Sequence, residues 1–162
     1  MPETTTDAAI DCPFTLPNGT VLPNRLVKAA LSEQLGSLDG APTQQLEVLY
    51  RRWAQGRFGL IITGNVMVDR RALGEPRNVV VEDERDLPQL QAWASAARSG
   101  GGSVWMQINH PGRQTPRILS PRPVAPSAVG LKISGQVAKP RALTDAQIRE
   151  LIERYARRPR SP

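Results

Sequence analysis

The sequence predicts an α/β fold built on parallel strands. Three short apolar stretches, near residues 26–31, 59–64 and 103–109, alternate with stretches whose apolar residues recur at helical spacing. Within the apolar stretches, polar residues do not alternate with apolar ones, which is typical of parallel strands covered on both faces. An open doubly wound sheet and a (β/α) barrel both satisfy this order, and 162 residues indicate one domain.

A β-hairpin is predicted ahead of the first parallel strand. Two short apolar runs in FTLPNGTVL, residues 14–22, flank Asn18-Gly19, a strong hairpin signal because both residues accept positive φ angles. The run RLVKAAL, residues 25–31, then predicts the first strand. Residues 1–13 are expected to form a disordered tail, and their acidic residues without a basic segment predict no secretory signal.

Three amphipathic helices are predicted, near residues 43–56, 86–99 and 144–157. The apolar face of the first comprises Leu46, Leu49, Tyr50 and Trp53. The second begins at Asp86, a candidate N-cap, and its inner face comprises Leu87, Leu90, Trp93, Ala94 and Ala97. The third begins with a capping box formed by Thr144 and Gln147, and its apolar face comprises Ile148, Leu151, Ile152 and Tyr155.

A long proline-rich loop is predicted at residues 110–141, which contain six prolines and little periodicity. This loop lies in a basic region, because no acidic residue occurs between Leu87 and Thr144 while seven lysines and arginines do. Such a region could attract an anionic cofactor or nucleic acid, or form a solvated basic face. Nucleic-acid binding is disfavoured, because aromatic residues make up only 4% of the chain and surfaces for base stacking are scarce.

Small or polar residues follow each predicted strand. They are Ala29, Ala30, Leu31 and Ser32 after the first, Thr63, Gly64 and Asn65 after the second, and Gln107, Asn109 and His110 after the third. Barrels and open sheets both place ligand sites at the carboxyl ends of parallel strands, so Ser32, Asn65 and Gln107 are expected to converge at one pocket mouth. Side-chain amides offer a donor and an acceptor together, which suits a heterocycle edge such as a flavin pyrimidine.

Five stretches, in this order, resemble the N-terminal part of the Old Yellow Enzyme family: NRLVKAALSEQ, GLIITGNVMVDRRA, QINHPGR, PVAPSAV and KPRALTDAQIRELIERYA. Members are NADH:flavin oxidoreductases that act as ene-reductases and carry FMN in a (β/α)8 barrel. The resemblance runs from about residue 14 to residue 156. It implies a partial (β/α)8 TIM barrel, about the first three βα units, preceded by the β-hairpin.

The resemblance also implies which residues contact the cofactor. Ala29, Ala30 and Leu31 would line the flavin through their backbone, although many members have Pro-Met or Pro-Leu in this segment. Ser32 falls where many members have a Thr or Cys that hydrogen-bonds the flavin. The ring contact would come from Asn65, and Gln107 matches the glutamine that hydrogen-bonds the pyrimidine edge.

The family's substrate-binding and phosphate-binding residues are expected to be missing from these 162 residues. A complete barrel takes about 250 residues, and the family's His-x-x-His or His-x-x-Asn pair follows the fourth strand. Because His110 is the only histidine and Cys12 the only cysteine, no catalytic residue and no metal site are predicted. Residues 14–157 are expected to form the N-terminal part of an FMN-binding barrel, and residues 158–162 a tail outside the family pattern.

The function implied by the resemblance is FMN-dependent NAD(P)H oxidoreduction of the ene-reductase type. FMN would be the cofactor, NADH or NADPH the reductant, and an activated alkene or related electrophile the substrate, with the chain alone expected to be inactive. The alternative is a non-catalytic fragment that self-associates, or complements a missing part, through open sheet edges. A cytoplasmic location without membrane contact is expected, because no stretch approaches about 18 uninterrupted apolar residues.

Overall fold

The computed structural model describes residues 7–132 and 135–156, which form helices, strands and one 3-10 helix. The helices are α1 (Asp7–Ile10), α2 (Gln44–Gln55), α3 (Leu87–Arg98) and α4 (Asp145–Ala156), and the 3-10 helix is Gly112–Gln114. The strands are β1 (Phe14–Thr15), β2 (Val21–Leu22), β3 (Val27–Lys28), β4 (Leu60–Met67), β5 (Val79–Val80), β6 (Ser103–Asn109), β7 (Val124–Ala125) and β8 (Arg141–Ala142). The first two predicted helices are found within one residue of their expected bounds, and the third begins within one residue of its expected start.

Strand β4 is the centre of a four-stranded parallel sheet. Strand β6 pairs along most of one edge of β4. Strands β3 and β5 share the other edge, β3 at the start of β4 and β5 at its end. The parallel arrangement of the three predicted strands is confirmed. The sequence did not predict β5, because the run of three valines at residues 79–81 is too short to show a period.

Helices α2 and α3 cover one face of this sheet. The core there contains Leu46 and Tyr50 from α2, Leu90 and Trp93 from α3, and Ile61 from β4. The Tyr50 and Trp93 rings meet edge to face with centroids 5.1 Å apart, an arrangement that aromatic pairs prefer. Burying each of the leucine and isoleucine side chains contributes about 1.5–3 kcal/mol, so this interface contributes substantially to stability.

Helix α3 differs from its prediction in two respects. Its N-cap residue Asp86 makes no side-chain capping hydrogen bond. Its buried residues include Ala96 and Ala97, whereas Ala94, expected on the inner face, is exposed. Ala94 instead lines a cavity of about 180 Å³ between α3 and β6.

Helix α4 lies at the margin of the fold. Its capping box is confirmed, because the Thr144 amide donates to Gln147 Oε1 over 3.1 Å and the Gln147 amide donates to Thr144 Oγ1 over 3.3 Å. None of its described residues is buried, and Ile152 of the predicted apolar face is 62% exposed. The helical period was therefore predicted correctly and the burial of this face was not.

The hairpin is found as predicted, and the segment before it differs from the prediction. Strands β1 and β2 pair antiparallel, and the turn between them has Gly19 at a φ of +85°. Where a disordered tail was expected, α1 forms a short helix, and the Arg25 amide donates to its Ile10 carbonyl over 2.9 Å. Residues 1–6 lie outside the described residues.

The predicted loop at residues 110–141 also contains regular structure. Strand β7 within it pairs parallel with β8, and Pro116 forms an antiparallel bridge with Val137. Residues 133–134 lie outside the described part, as do residues 157–162, which include the predicted end of the last helix and the tail at 158–162. Among the described helices, none combines the length and the apolar character needed to cross a membrane.

Candidate functional site

Gln107 lies on the face of β6 that points away from the helices. Its neighbour Met106 lines the cavity beside α3 together with Leu90 and Trp93. Successive side chains of a strand point to opposite faces, so Trp105 and Gln107 share the other face, where both are exposed. Gln107 therefore has the predicted orientation toward the open side of the sheet.

Asn65 and Gln107 form a side-chain amide pair on this open face. Gln107 Nε2 donates to Asn65 Oδ1 over 2.8 Å. An Asn or Gln amide has two N–H donors and one acceptor oxygen, so the pair keeps Gln107 Oε1 as an acceptor and Asn65 Nδ2 as a donor for a ligand. The structure thus brings together two of the three side chains that were expected to converge.

An extra residue in β4 makes this pairing possible. Ile62 lies opposite Trp105, and Asn65 lies opposite Gln107, with an irregularity between them. The chain therefore advances three residues on β4 while it advances two on β6, which is the count of a β-bulge. Thr63 lies in the bulge, and its Oγ1 accepts a hydrogen bond from the Gln107 amide over 3.0 Å.

The third expected side chain, Ser32, takes a different partner. Ser32 Oγ accepts a hydrogen bond from Asn78 Nδ2 over 3.3 Å, and Asn78 Oδ1 in turn accepts from the backbone amides of Gly74 and Glu75. Asn78 is buried and joins the segment after β3 to the turn before β5. Sequence reasoning missed Asn78, because a single asparagine outside any recognised motif gives no signal.

The segment from Ala29 to Leu31 follows β3 directly, as expected for a strand end. The Ala29 side chain is exposed, Ala30 is half-buried and Leu31 is 60% exposed. The Leu31 carbonyl lies against Gly64 of β4, close enough that no side chain could be accommodated there. The backbone of this segment therefore borders the bulge that carries Asn65.

A buried polar network lies on the other side of the bulge. Tyr50 is fully buried; its hydroxyl donates to Glu33 Oε1 over 2.5 Å and accepts from the Gly64 amide over 3.0 Å. Lys28 Nζ lies 3.6 Å from Glu33 Oε1, donates to the Ile62 carbonyl over 3.2 Å and sits 3.9 Å from the Trp53 ring centroid.

Burial determines how these groups ionise. Burial lowers the pKa of Lys28, although the Glu33 carboxylate opposes that shift. Burial also raises the pKa of Tyr50, and its hydrogen bond to Glu33 adds to the increase. Tyr50 was expected on a helix core face, which is confirmed. The roles of Lys28 and Glu33 were missed, although a lysine in an otherwise apolar strand was a usable signal.

A cavity of about 320 Å³ lies beyond the carboxyl ends of β4 and β6 and contains none of the predicted flavin residues. His110 is part of its lining, and its Nδ1 accepts from the Gly112 amide over 3.1 Å. Burial lowers the pKa of His110, which favours the neutral imidazole. This hydrogen bond gives His110 a structural role in the turn after β6.

An ionic cluster borders the same cavity and joins α4 to the ends of the sheet. Arg154 donates to Glu82 Oε1 over 3.1 Å and to Glu150 Oε1 over 2.8 Å. Arg71 Nη2 lies 2.8 Å from Asp69 Oδ2. Burial alone would raise the pKa of Asp69, but the hydrogen bonds from Arg71 outweigh it, and the pKa of Asp69 is lowered.

The chain is similar in sequence to curated NADH-dependent flavin oxidoreductases. The chain is 37% identical over 165 residues to the NADH-dependent flavin oxidoreductase iliE of Hypocrea jecorina, covering 90% of this chain and 41% of that protein. It is 38% identical over 150 residues to the NADH-dependent flavin oxidoreductase nadA of Aspergillus parasiticus, covering 83% and 34%. The chain thus spans about two-fifths or less of the length of these curated relatives.

Solved structures share the fold. The old yellow enzyme homologue of Zymomonas mobilis superposes with a TM-score of 0.74 at 27% identity, over 91% of this chain and 43% of that one. Morphinone reductase superposes with a TM-score of 0.78 at 23% identity, over 91% of this chain and 42% of that one. At this identity the likeness shows a shared fold only. The predicted resemblance to the Old Yellow Enzyme family is therefore confirmed.

Residues 11–160 match the family described as NADH:flavin oxidoreductase / NADH oxidase. The cofactors predicted from the sequence, FMN with NADH or NADPH as reductant, are those of this family. The match extends over nearly all of the chain and includes every element from the hairpin to α4. The chain therefore belongs to the NADH:flavin oxidoreductase / NADH oxidase family.

Proposed function

We propose that this chain supplies the contacts to the pyrimidine edge of FMN in an NADH-dependent flavin oxidoreductase of the ene-reductase type. The observation that carries the proposal is the Asn65–Gln107 amide pair, which faces the open side of a parallel sheet near its carboxyl end. The relatives named above are NADH-dependent flavin oxidoreductases by name, which supports the proposal.

The donors and acceptors of the amide pair fit a flavin. The pyrimidine edge of an isoalloxazine presents carbonyl acceptors beside an N–H donor. The hydrogen bond within the amide pair does not use the Gln107 Oε1 acceptor or the Asn65 Nδ2 donor, so both can bind this edge. The backbone of residues 29–31 would line the ring. Ser32 would contact the ring if its hydroxyl exchanged the hydrogen bond with Asn78 for one with the flavin. When bound, FMN supplies hydride transfer between a nicotinamide and an electron-poor substrate.

The proposed architecture is the first three βα units of an eight-stranded barrel. A parallel sheet with helices on one face and an exposed face opposite is the arrangement that such a partial barrel would have. The exposed inner face carries Trp105, which is 43% exposed, beside Gln107. The overlap with about two-fifths of an old yellow enzyme homologue supports the same architecture.

We propose that turnover requires the remaining length found in the relatives. Activity needs the ring held rigidly, its phosphate anchored and the substrate oriented above it, and the amide pair provides only ring contacts. Activated alkenes or related electrophiles are the proposed substrates of the complete site. The 162 residues alone are expected to show no sustained NADH- or NADPH-dependent alkene reduction above that of free FMN.

The test is an FMN titration of the purified chain, followed by flavin fluorescence and visible absorption. Gln107→Leu removes the amide and keeps the side-chain size, so affinity is expected to fall about tenfold, since a hydrogen bond of this kind contributes about 1–1.5 kcal/mol. Gln91→Leu, at an exposed position on α3, is the matched control and is expected to retain wild-type affinity. Equal affinity of both variants, or no saturable FMN binding by the wild type, would refute the proposal.

A second candidate function, association through the sheet edge, rests on a separate observation. Among the described strands, β6 pairs with β4 alone, and its Trp105, Met106 and Ile108 side chains are each about two-fifths exposed or more. An open edge with exposed apolar side chains favours pairing with another chain. Sedimentation of the wild type against Ile108→Lys tests this: the wild type should associate and the variant should not, whereas two monomeric samples would exclude it.

A further inference from the structure

We infer that Tyr50 and Glu33 are positioning residues for the Asn65–Gln107 pair, because they hold the Gly64 amide in the bulge that turns Asn65 toward Gln107. Neither side chain lies on the open face, and both act through the backbone of β4. The consequence for flavin binding rests on the function proposed above. The effect on the bulge is independent of it and can be measured without a ligand.

The bulge decides which face Asn65 occupies. Side chains alternate along a strand, so a regular β4 that has Ile62 opposite Trp105 would place Gly64 opposite Gln107 and turn Asn65 toward the helices. The one extra residue restores Asn65 to the open face. It also keeps Ile61 and Val66, which are five positions apart, in the same core beneath α2 and α3.

Gly64 is the residue of β4 that the Tyr50–Glu33 network contacts directly. Its N–H donates to Tyr50 Oη, and the space where a Cβ would stand is occupied by Glu33 Oε2 and the Leu31 carbonyl. A bulge leaves its extra residue outside the strand ladder, so its amide needs another acceptor. Tyr50 provides that acceptor, and Glu33 orients the hydroxyl by accepting a hydrogen bond from it.

The composition of the network supports a positioning role more than a stabilising one. A buried ion pair such as Lys28–Glu33 gains little over apolar side chains of equal volume, because both charges lose their hydration. Apolar residues at these positions could fill the core, but they would leave the Gly64 amide without an acceptor. What the network adds is a fixed place for the Gly64 amide, which is adjacent to Thr63 and its contact with Gln107 on one side and to Asn65 on the other.

The experiment compares Tyr50→Phe with Tyr155→Phe in the full 162-residue chain. Tyr50→Phe keeps the ring that packs against Trp53 and Trp93 and removes only the hydroxyl. Tyr155→Phe removes the hydroxyl of a partly exposed tyrosine on α4 and is the matched control. Hydrogen exchange of the Gly64 amide and the side-chain amide NMR signals of Asn65 and Gln107 are recorded first, and FMN affinity second.

Tyr50→Phe is expected to accelerate Gly64 exchange about tenfold or more, to shift the Asn65 and Gln107 side-chain signals and to weaken FMN binding about tenfold. Glu33→Gln, which keeps an acceptor for Tyr50, should give smaller changes of the same kind, and it decides the matter if Tyr50→Phe does not fold. Rapid exchange of Gly64 in the wild type, or unchanged side-chain signals in folded Tyr50→Phe, would overturn the inference. If the wild type binds no FMN, the proposed function fails, and the amide signals alone still decide the positioning role.

Discussion

Replacing Gly64 by alanine is expected to be among the most damaging single-methyl changes in this chain. The new Cβ would collide with Glu33 Oε2 and with the Leu31 carbonyl. The carbonyl belongs to the backbone, and the carboxylate is held by Tyr50 and Lys28, so neither can move without breaking other contacts. Inserting a methyl group into a filled site costs about 1–3 kcal/mol, and displacing the carboxylate from Tyr50 loses a hydrogen bond to a charged group, about 1.5–3 kcal/mol.

Gly64→Ala is therefore expected to lower the free energy of unfolding by about 3 kcal/mol or more. This is a large part of the roughly 5–15 kcal/mol that stabilises a domain. Urea unfolding followed by tryptophan fluorescence measures it, because Trp93 lies in the core. Gly130→Ala is the matched control, because its Cβ would make only ordinary contacts. Alanine also lowers the entropy of the unfolded chain, so the free energy of unfolding should stay within about 1 kcal/mol of the wild type. A loss below about 1 kcal/mol for Gly64→Ala would refute the close approach of Glu33 and Leu31 to β4.

Three further changes probe other parts of the fold. Leu46→Ala should cost about 2–5 kcal/mol in urea unfolding, whereas Val48→Ala, at a 63% exposed position on the same helix, should change little; equal losses would contradict the assigned core face. The lowered pKa of Asp69 means that its contribution to stability is present above its unfolded pKa and is lost as the pH falls below about 4. Urea midpoints between pH 6 and pH 3 should therefore fall less in Asp69→Asn than in the wild type, and parallel curves would exclude this role. Thr144→Ala removes half of the capping box and should destabilise α4 by about 1 kcal/mol, seen as faster amide exchange in α4 alone; uniform acceleration in every helix would contradict it.

The parts of the fold that follow from periodicity could be predicted from the sequence. The three long helices, the parallel order of three strands and the Asn18-Gly19 hairpin all rest on local spacing and turn residues, and all are found. The burial of α4 could not be predicted, because its apolar face at Ile152 has the right spacing and yet meets no covering surface. Strand β5 and the β7–β8 pair were missed because two-residue strands depend on partners that are remote in sequence.

At the candidate site, one contact between two side chains was predictable and the strand geometry that produces it was not. The expected contact between Asn65 and Gln107 is found, yet the extra residue that turns Asn65 to the open face could not be predicted from local spacing. Ser32 was expected beside them, and its hydroxyl instead bonds to Asn78, which lies 46 positions away. Long-range partners of this kind depend on the completed packing and leave no trace in a local motif.

The marginal position of α4 has a consequence for the order in which the chain folds. Helices α2 and α3 and strands β4 and β6 share one apolar core, so they form a natural cooperative unit that can assemble before α4 is attached. Arg154 ties α4 to this unit through Glu82, and such ion pairs weaken as added salt screens them. We therefore expect helix α4 to dock last and to detach first, in openings that leave the α2–α3 core intact.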